Sequence, residues 1–220
     1  MILGVYKPPG ITSHDVVDFV RQITKEQKVG HGGTLDPFAE GVLVIGITRD
    51  ATKKLHEVLK NTDKEYVATL ELGKASTTDD PEGIITETKN AKPADVTREE
   101  IEKTLQRFTG KIEQTPPQHS AVKIKGKPAY ALARKGKDIE MPKRLVTVSE
   151  LELLEFEPPR VTIRAVVSSG TYIRSLARDI GRSLGAGAYL TRLVRTRVGD
   201  FTLENCVSFD KLENALNPHT

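Results

Sequence analysis

The sequence has one cysteine, Cys206, and no tryptophan. A single thiol excludes an intramolecular disulfide framework and any metal site built from several cysteines. With Phe and Val nearby, Cys206 reads as a small buried residue. The five histidines, at 14, 31, 56, 119 and 219, lack the close spacing of a ligand pair, so no metal is expected. No apolar run approaches the roughly 20 residues that a membrane-spanning helix needs, and the N-terminus lacks the apolar core of a secretory signal. A cytoplasmic protein is therefore expected, or one of an organelle matrix.

What is present is ordinary in amount and uneven in placement. Hydrophobic residues make up 37% of the 220 and charged residues 29%, for a net charge of +3. Residues 111–147 hold nine Lys/Arg against three Asp/Glu, and residues 160–197 hold eight Arg against one Asp. Both segments are strongly basic, and the remainder is acidic. Such segregation suits a polyanion, because neutralising phosphates and releasing their counterions drives nucleic-acid binding.

Periodicity outlines the elements. Residues 2–6 read as an extended start broken by Lys7-Pro8-Pro9-Gly10. Thr12 or Ser13 can cap a helix carrying Val16, Phe19, Val20 and Ile23 at helical spacing. Gly30 to Gly41 reads as a glycine-rich turn holding Asp36, whose backbone is constrained by Pro37. Val42 to Ile47 is a buried strand. Ala51, Leu55, Val58 and Leu59 mark an amphipathic helix. Tyr66, Ala68, Leu70 and Leu72 share one face of a strand, and Thr77 to Gly83 is turn chemistry.

Further along, Thr97-Arg98-Glu99-Glu100 is a capping box for a helix with Ile101, Leu105 and Phe108. Residues from about 115 to 144 read as a basic insertion. Two antiparallel strands, 145–156 and 161–167, precede a helix with Ile173, Leu176, Ala177, Ile180 and Leu184 on one stripe. Arg174, Arg178 and Arg182 form a separate row on that helix, the last two expected at the surface or facing phosphates. An arginine-rich stretch from Tyr189 to Val198, a strand near 201 and a short helix near 208–216 complete the chain. Strands and helices without a βαβ rhythm predict an α+β fold with a mixed, mostly antiparallel sheet, in a single domain over 1–220.

An aspartate can act as nucleophile or base only while ionised, and a guanidinium beside it would hold it so; Asp36 and Arg174 are the expected pair. Six ordered motifs then carry a resemblance: Lys7 to Ser13; Gly30-His31 with Gly33 to Pro37; Ala39 to Leu43; Lys64-Glu65-Tyr66 followed by Leu72-Gly73; Thr115-Pro116-Pro117 with Ser120 to Lys123; and Ser169 to Arg174. Together they resemble the tRNA pseudouridine synthases of the TruB family over nearly residues 1–200.

The resemblance implies the pseudouridine synthase fold and isomerisation of uridine to pseudouridine at position 55 in the tRNA T-loop, without metal or cofactor, with the T-arm as the RNA bound; a monomer is the default expectation. Asp36 matches the catalytic aspartate, whether it attacks the base, attacks C1′ or removes a ribose proton. Tyr66 matches the tyrosine that packs on the target base, Tyr172 the one beside the aspartate, and Leu193 an apolar pocket residue. His31 matches the histidine that helps turn the base out of its stack. Lys123, Lys125, Lys127 and Arg134 lie in what resembles the RNA-gripping insertion. Gly32 departs from the family's usual Thr, Thr77 from an acidic residue, and no separate C-terminal RNA-binding domain is expected. Two other readings are a synthase acting on ribosomal or messenger RNA, and an RNA chaperone for which catalysis is not essential.

Overall fold

A computed structural model describes residues 1–60, 62–120, 122–124, 126–129, 132 and 140–216. The chain forms an α+β fold divided into two compact units, Met1–Val67 with Leu193–Thr220, and Ala68–Arg192. Strands β4 (Lys64–Leu72) and β12 (Ala188–Val198) each begin in one unit and end in the other.

The first unit is built on β3 (Glu40–Ile47), in which every residue but the first is buried. A continuous apolar run of this kind belongs to a strand covered on both faces. Beside it runs β1 (Ile2–Lys7), antiparallel, with Val5 opposite Leu43. The last part of β12 pairs with it in parallel, Arg195 opposite Gly41. Gly41 has φ +109, and a Cβ there would collide with the Arg195 carbonyl, so glycine is what lets β12 start its pairing at this point.

Helix α1 (Ser13–Thr24) starts at the expected signal: the Thr12 hydroxyl accepts from Asp15 N at 3.0 Å while Asp15 accepts from Thr12 N at 2.7 Å. Val16, Val17 and Val20 are buried. Phe19 is half-buried and packs its ring 4.9 Å from Phe209. Helix α2 (Arg49–Val58) buries Ala51 and Leu55, but Val58 is exposed, because the helix ends there and its stripe turns away from the core.

One expectation needs correction. The glycine-rich stretch does not begin as a turn: Val29–Gly32 forms strand β2, antiparallel to β3 with His31 opposite Ile45. Two glycines in four residues hide the period-2 pattern that would have announced a strand. A Cβ at Gly32 would run into Leu59 Cδ1, so a larger residue there would make the Leu59 side chain shift.

In the second unit β4, β11 (Arg160–Val167), β10 (Arg144–Glu157) and β7 (Gly110–Gln114) lie in that order. The β10–β11 pair is antiparallel, as its two strand patterns predict. Two short strands, β5 (Lys74–Ser76) and β6 (Ile85–Glu87), form a hairpin around the Thr77–Gly83 turn. Helix α3 (Arg98–Arg107) carries the predicted capping box, and α4 (Ile173–Ser183) buries Ile173, Leu176, Ala177 and Ile180. In the basic segment only the two-residue strands β8 (Lys123–Ile124) and β9 (Lys127–Pro128) are described as strands. Strands β13 (Phe201–Thr202) and β14 (Val207–Ser208) and helix α5 (Leu212–Leu216) end the chain in the first unit.

Candidate active site

Asp36 sits half-buried in the loop between β2 and β3, and the loop is fastened through its main chain. Ser13, at the start of α1, is buried and its hydroxyl does two jobs: it donates to Leu35 O and accepts from Leu35 N, both at 2.9 Å. Gly10 N donates to Pro37 O at 2.8 Å. Lys7 is wholly buried at the end of β1, and its ammonium donates to Pro8 O (2.9 Å), Ile11 O (2.7 Å) and Pro37 O (3.2 Å). A buried ammonium is tolerated only when its donors are satisfied, and three carbonyls from two segments do this. On the far side, Ala39 N closes the turn onto Asp36 O at 3.1 Å. The Lys7–Ser13 motif is thus the brace of the Asp36 loop.

Arg195, on β12, fastens the same loop at its two ends. It is 1% exposed, its Nη2 donates to Gly33 O and its Nε to Val42 O, both at 2.7 Å. Glu40 accepts from the Tyr6 hydroxyl. Tyr66 on β4 and Leu193 on β12 are both buried in this unit. His31 is half-buried on β2, and its Nδ1 is buried with no hydrogen-bond partner among the described residues. Burial, with smaller contributions from the charges of Arg195 and His14, holds the His31 pKa below its ordinary value. Burial and Arg195 likewise lower that of Lys64. Cys206 is half-buried, and burial raises its thiol pKa to about 11, which leaves it an inert packing group.

The second unit holds Tyr172 and Arg174. Tyr172 is the residue before the first turn of α4, and the buried Gln114 side chain grips its main chain, donating to Tyr172 O at 3.0 Å and accepting from Tyr172 N at 2.8 Å. The Arg144 guanidinium lies 5.9 Å from the Tyr172 ring centroid, within cation–π range. Arg174 is 5% exposed and donates to Asp80 at 2.8 Å and to the carbonyls of Thr78 and His119 at 3.1 Å. Asp80, itself 1% exposed, also accepts from the Thr78 hydroxyl and from Glu82 N. The Asp79-Asp80 pair is therefore more than a turn signal: its second carboxylate anchors Arg174.

The sequence profile of the TruB family pseudouridylate synthase N-terminal domain matches residues 21–173, and that of the tRNA pseudouridylate synthase B C-terminal domain matches residues 174–219. The chain belongs to the TruB family. A tRNA pseudouridine synthase B of Corynebacterium diphtheriae is 48% identical to this TruB chain over 220 residues, covering 98% of this chain and 72% of that protein. The protein of the same name from Phocaeicola vulgatus is 48% identical over 222 residues, 98% of this chain and 93% of that one. Among solved structures, a Cbf5-Nop10-Gar1 complex matches with TM-score 0.76 and 34% identity over 98% of this chain. An H/ACA RNP bound to a substrate RNA containing 2′-deoxyuridine matches with TM-score 0.72 and 31% identity, again over 98%. This chain spans 54% and 53% of the matched chains in those two structures.

Of the expected site residues, Asp36, His31, Tyr66 and Leu193 fall in one unit, and Tyr172 and Arg174 in the other. Lys125 and Arg134 lie outside the described residues, as do the side chains of Lys123 and Lys127. The arginine row on α4 needs a second correction. Arg182 is exposed, but Arg178 is not a free surface cation: it pairs with Asp79 at 2.8 Å and Asp179 at 2.9 Å and donates to Thr115 O at 3.0 Å. Desolvation outweighs these contacts at Asp79, whose pKa is raised.

Three structural residues of the site had no role assigned to them from the sequence: Lys7, Arg195 and Gln114. Each is a polar side chain that would ordinarily face solvent. Lys7 alone carried a signal, its place just before Pro8-Pro9-Gly10, where the chain must turn and its carbonyls need donors.

Proposed function

We propose that this TruB protein isomerises uridine to pseudouridine in tRNA, at position 55 of the T-loop. The observation that carries this reading is the Asp36 loop, fastened by Lys7, Gly10, Ser13 and Arg195 around the half-buried Asp36 in a chain of this family. The names of its relatives supply the substrate class.

The reaction breaks the bond from N1 of uracil to C1′ and joins C5 to C1′. The proton on C5 leaves to solvent and N1 gains one, so no electron acceptor or group donor enters the balance. Asp36 is the reacting carboxylate, and Arg174 keeps it ionised and oriented. A uridine in a folded loop must be turned out before its glycosidic bond can be reached. Tyr66 and Leu193 offer apolar surface that replaces the lost stacking, Tyr172 adds a second ring, and His31 fills the space vacated in the RNA loop. Lys123, Lys125, Lys127 and Arg134 contact RNA phosphates.

Asp36→Asn tests the assignment. The variant should bind tRNA in a filter assay like the parent protein while forming no pseudouridine in a tritium-release assay on 5-tritiated tRNA. Turnover by this variant would remove Asp36 from the mechanism. Mapping pseudouridine in total RNA from cells lacking the protein should show loss at tRNA position 55; loss at ribosomal or messenger sites instead would redirect the substrate. Unimpaired tRNA folding by Asp36→Asn in cells would favour a chaperone role alongside catalysis.

A further inference from the structure

Arg195 presents an uncommon arrangement. It is among the largest fully buried side chains of the protein, yet its hydrogen bonds are to backbone carbonyls, Gly33 O and Val42 O, and among the described residues no carboxylate forms a salt bridge with it. Desolvating a guanidinium is costly, and a carboxylate partner is the usual compensation. Here two carbonyls nine positions apart in sequence take that place, one on each side of Asp36. Gly33, at φ +72, turns its carbonyl toward the guanidinium, and a Cβ on it would lie 3.4 Å from Arg195 Nη1. On the other side, the backbone of Arg195 sits opposite Gly41 in the parallel pairing of β12 with β3. The side chain and main chain of one residue therefore set both ends of the loop.

We infer that Arg195 is the positioning residue of the Asp36 loop, a buried clamp that fixes the carboxylate by holding Gly33 and Val42 at a set separation. The inference rests on Asp36 being the reacting group. An arginine suits the task because its planar fork directs Nε and Nη2 to two acceptors at once, which an ammonium on a flexible stem does not reproduce. The clamp makes no demand on RNA: its contacts are internal, so it acts on the reaction step and not on affinity.

The test compares Arg195→Lys and Arg195→Gln with the parent protein and with Asp36→Asn in three measurements: single-turnover pseudouridine formation per folded molecule, tRNA Kd, and the NMR titration of His31. Loss of the clamp should slow single turnover by about 10²-fold, the order expected for a misplacement of about 1 Å in a reacting group, in both variants and with tRNA Kd unchanged. The His31 titration should move upward in Arg195→Gln and not in Arg195→Lys, since only the former removes the charge, which checks that the surroundings of His31 are otherwise intact; a slowed turnover at unchanged tRNA Kd is the readout that a merely structural role would not give. Parent-like single turnover in both variants would overturn the inference, as would a loss that lies wholly in tRNA Kd. If neither variant folds, Gly33→Ala decides: a slowed single turnover at unchanged Kd upholds the clamp, and a parent-like rate overturns it. An active Asp36→Asn would instead sink the underlying assignment, whereas an inactive one beside active Arg195 variants would sink the clamp alone.

Discussion

In the first unit the loop carrying Asp36 is gripped from outside, by Lys7, Ser13 and Arg195, and every one of those grips lands on main-chain atoms. In the second unit Arg174 is itself the cation, and it donates to a buried side chain, Asp80, and to two carbonyls. Charged side chains fix the backbone in one case; a charged side chain is fixed by its counter-ion in the other. The grips of Lys7, Ser13 and Arg195 use main-chain atoms of the loop. The Asp80 carboxylate helps fix the plane of the Arg174 guanidinium, so one substitution at Asp80 removes a buried charged contact.

That contrast ranks the effects of mutation. Asp80→Ala should be the more damaging, because it takes a buried carboxylate away from a buried guanidinium; removing one member of a buried ion pair costs about 3–5 kcal/mol. Urea unfolding would read this, and restoration by replacing Arg174 as well, with an apolar residue, would show that the uncompensated charge is the cause. A cost below 1 kcal/mol would break the contrast. Lys7→Met should cost less, about 2–3 kcal/mol, since it withdraws a donor from Pro8 O and Ile11 O while Pro37 O keeps its bond from Gly10 N. Equal losses for Lys7→Met and Asp80→Ala would mean that the two modes of fastening are equivalent. The smallest effect concerns the strand leading into the loop. Gly32→Thr should destabilise by about 1–2 kcal/mol through overpacking on Leu59, and Leu59→Ala should relieve most of it; a threonine tolerated without that relief would show that the Leu59 side chain simply turns aside.

Much of the fold was legible because its signals are local. The capping boxes at Thr12 and Thr97, the apolar run of β3 and the alternation of β4 are patterns that a few neighbouring residues impose on themselves. Where partners distant in sequence decide, the reading failed. Val29–Gly32 becomes a strand because β3 lies beside it; β14, two residues long, exists because β1 offers it a parallel edge. Arg178 follows the same rule as Arg182 in sequence, one turn apart on α4, but Asp79 and Thr115 happen to face only the former.

The candidate site divides in the same way. The candidates for its reacting group and aromatic walls came from motif order: Asp36 between glycines and a proline, Tyr66 on a strand and Tyr172 before a helix. The supports could not be named this way, because hydrophobicity assigns lysine, arginine and glutamine to the surface. Lys7, Arg195 and Gln114 are buried only because carbonyls and amides from elsewhere in the chain converge on them, and that convergence supplies the hydrogen bonds that make their burial affordable. The sequence alone determined which chemistry the chain carries and which segments pair locally. Tertiary structure decided which charges leave water, since that depends on acceptors brought in from distant positions, and thereby how the Asp36 loop is held.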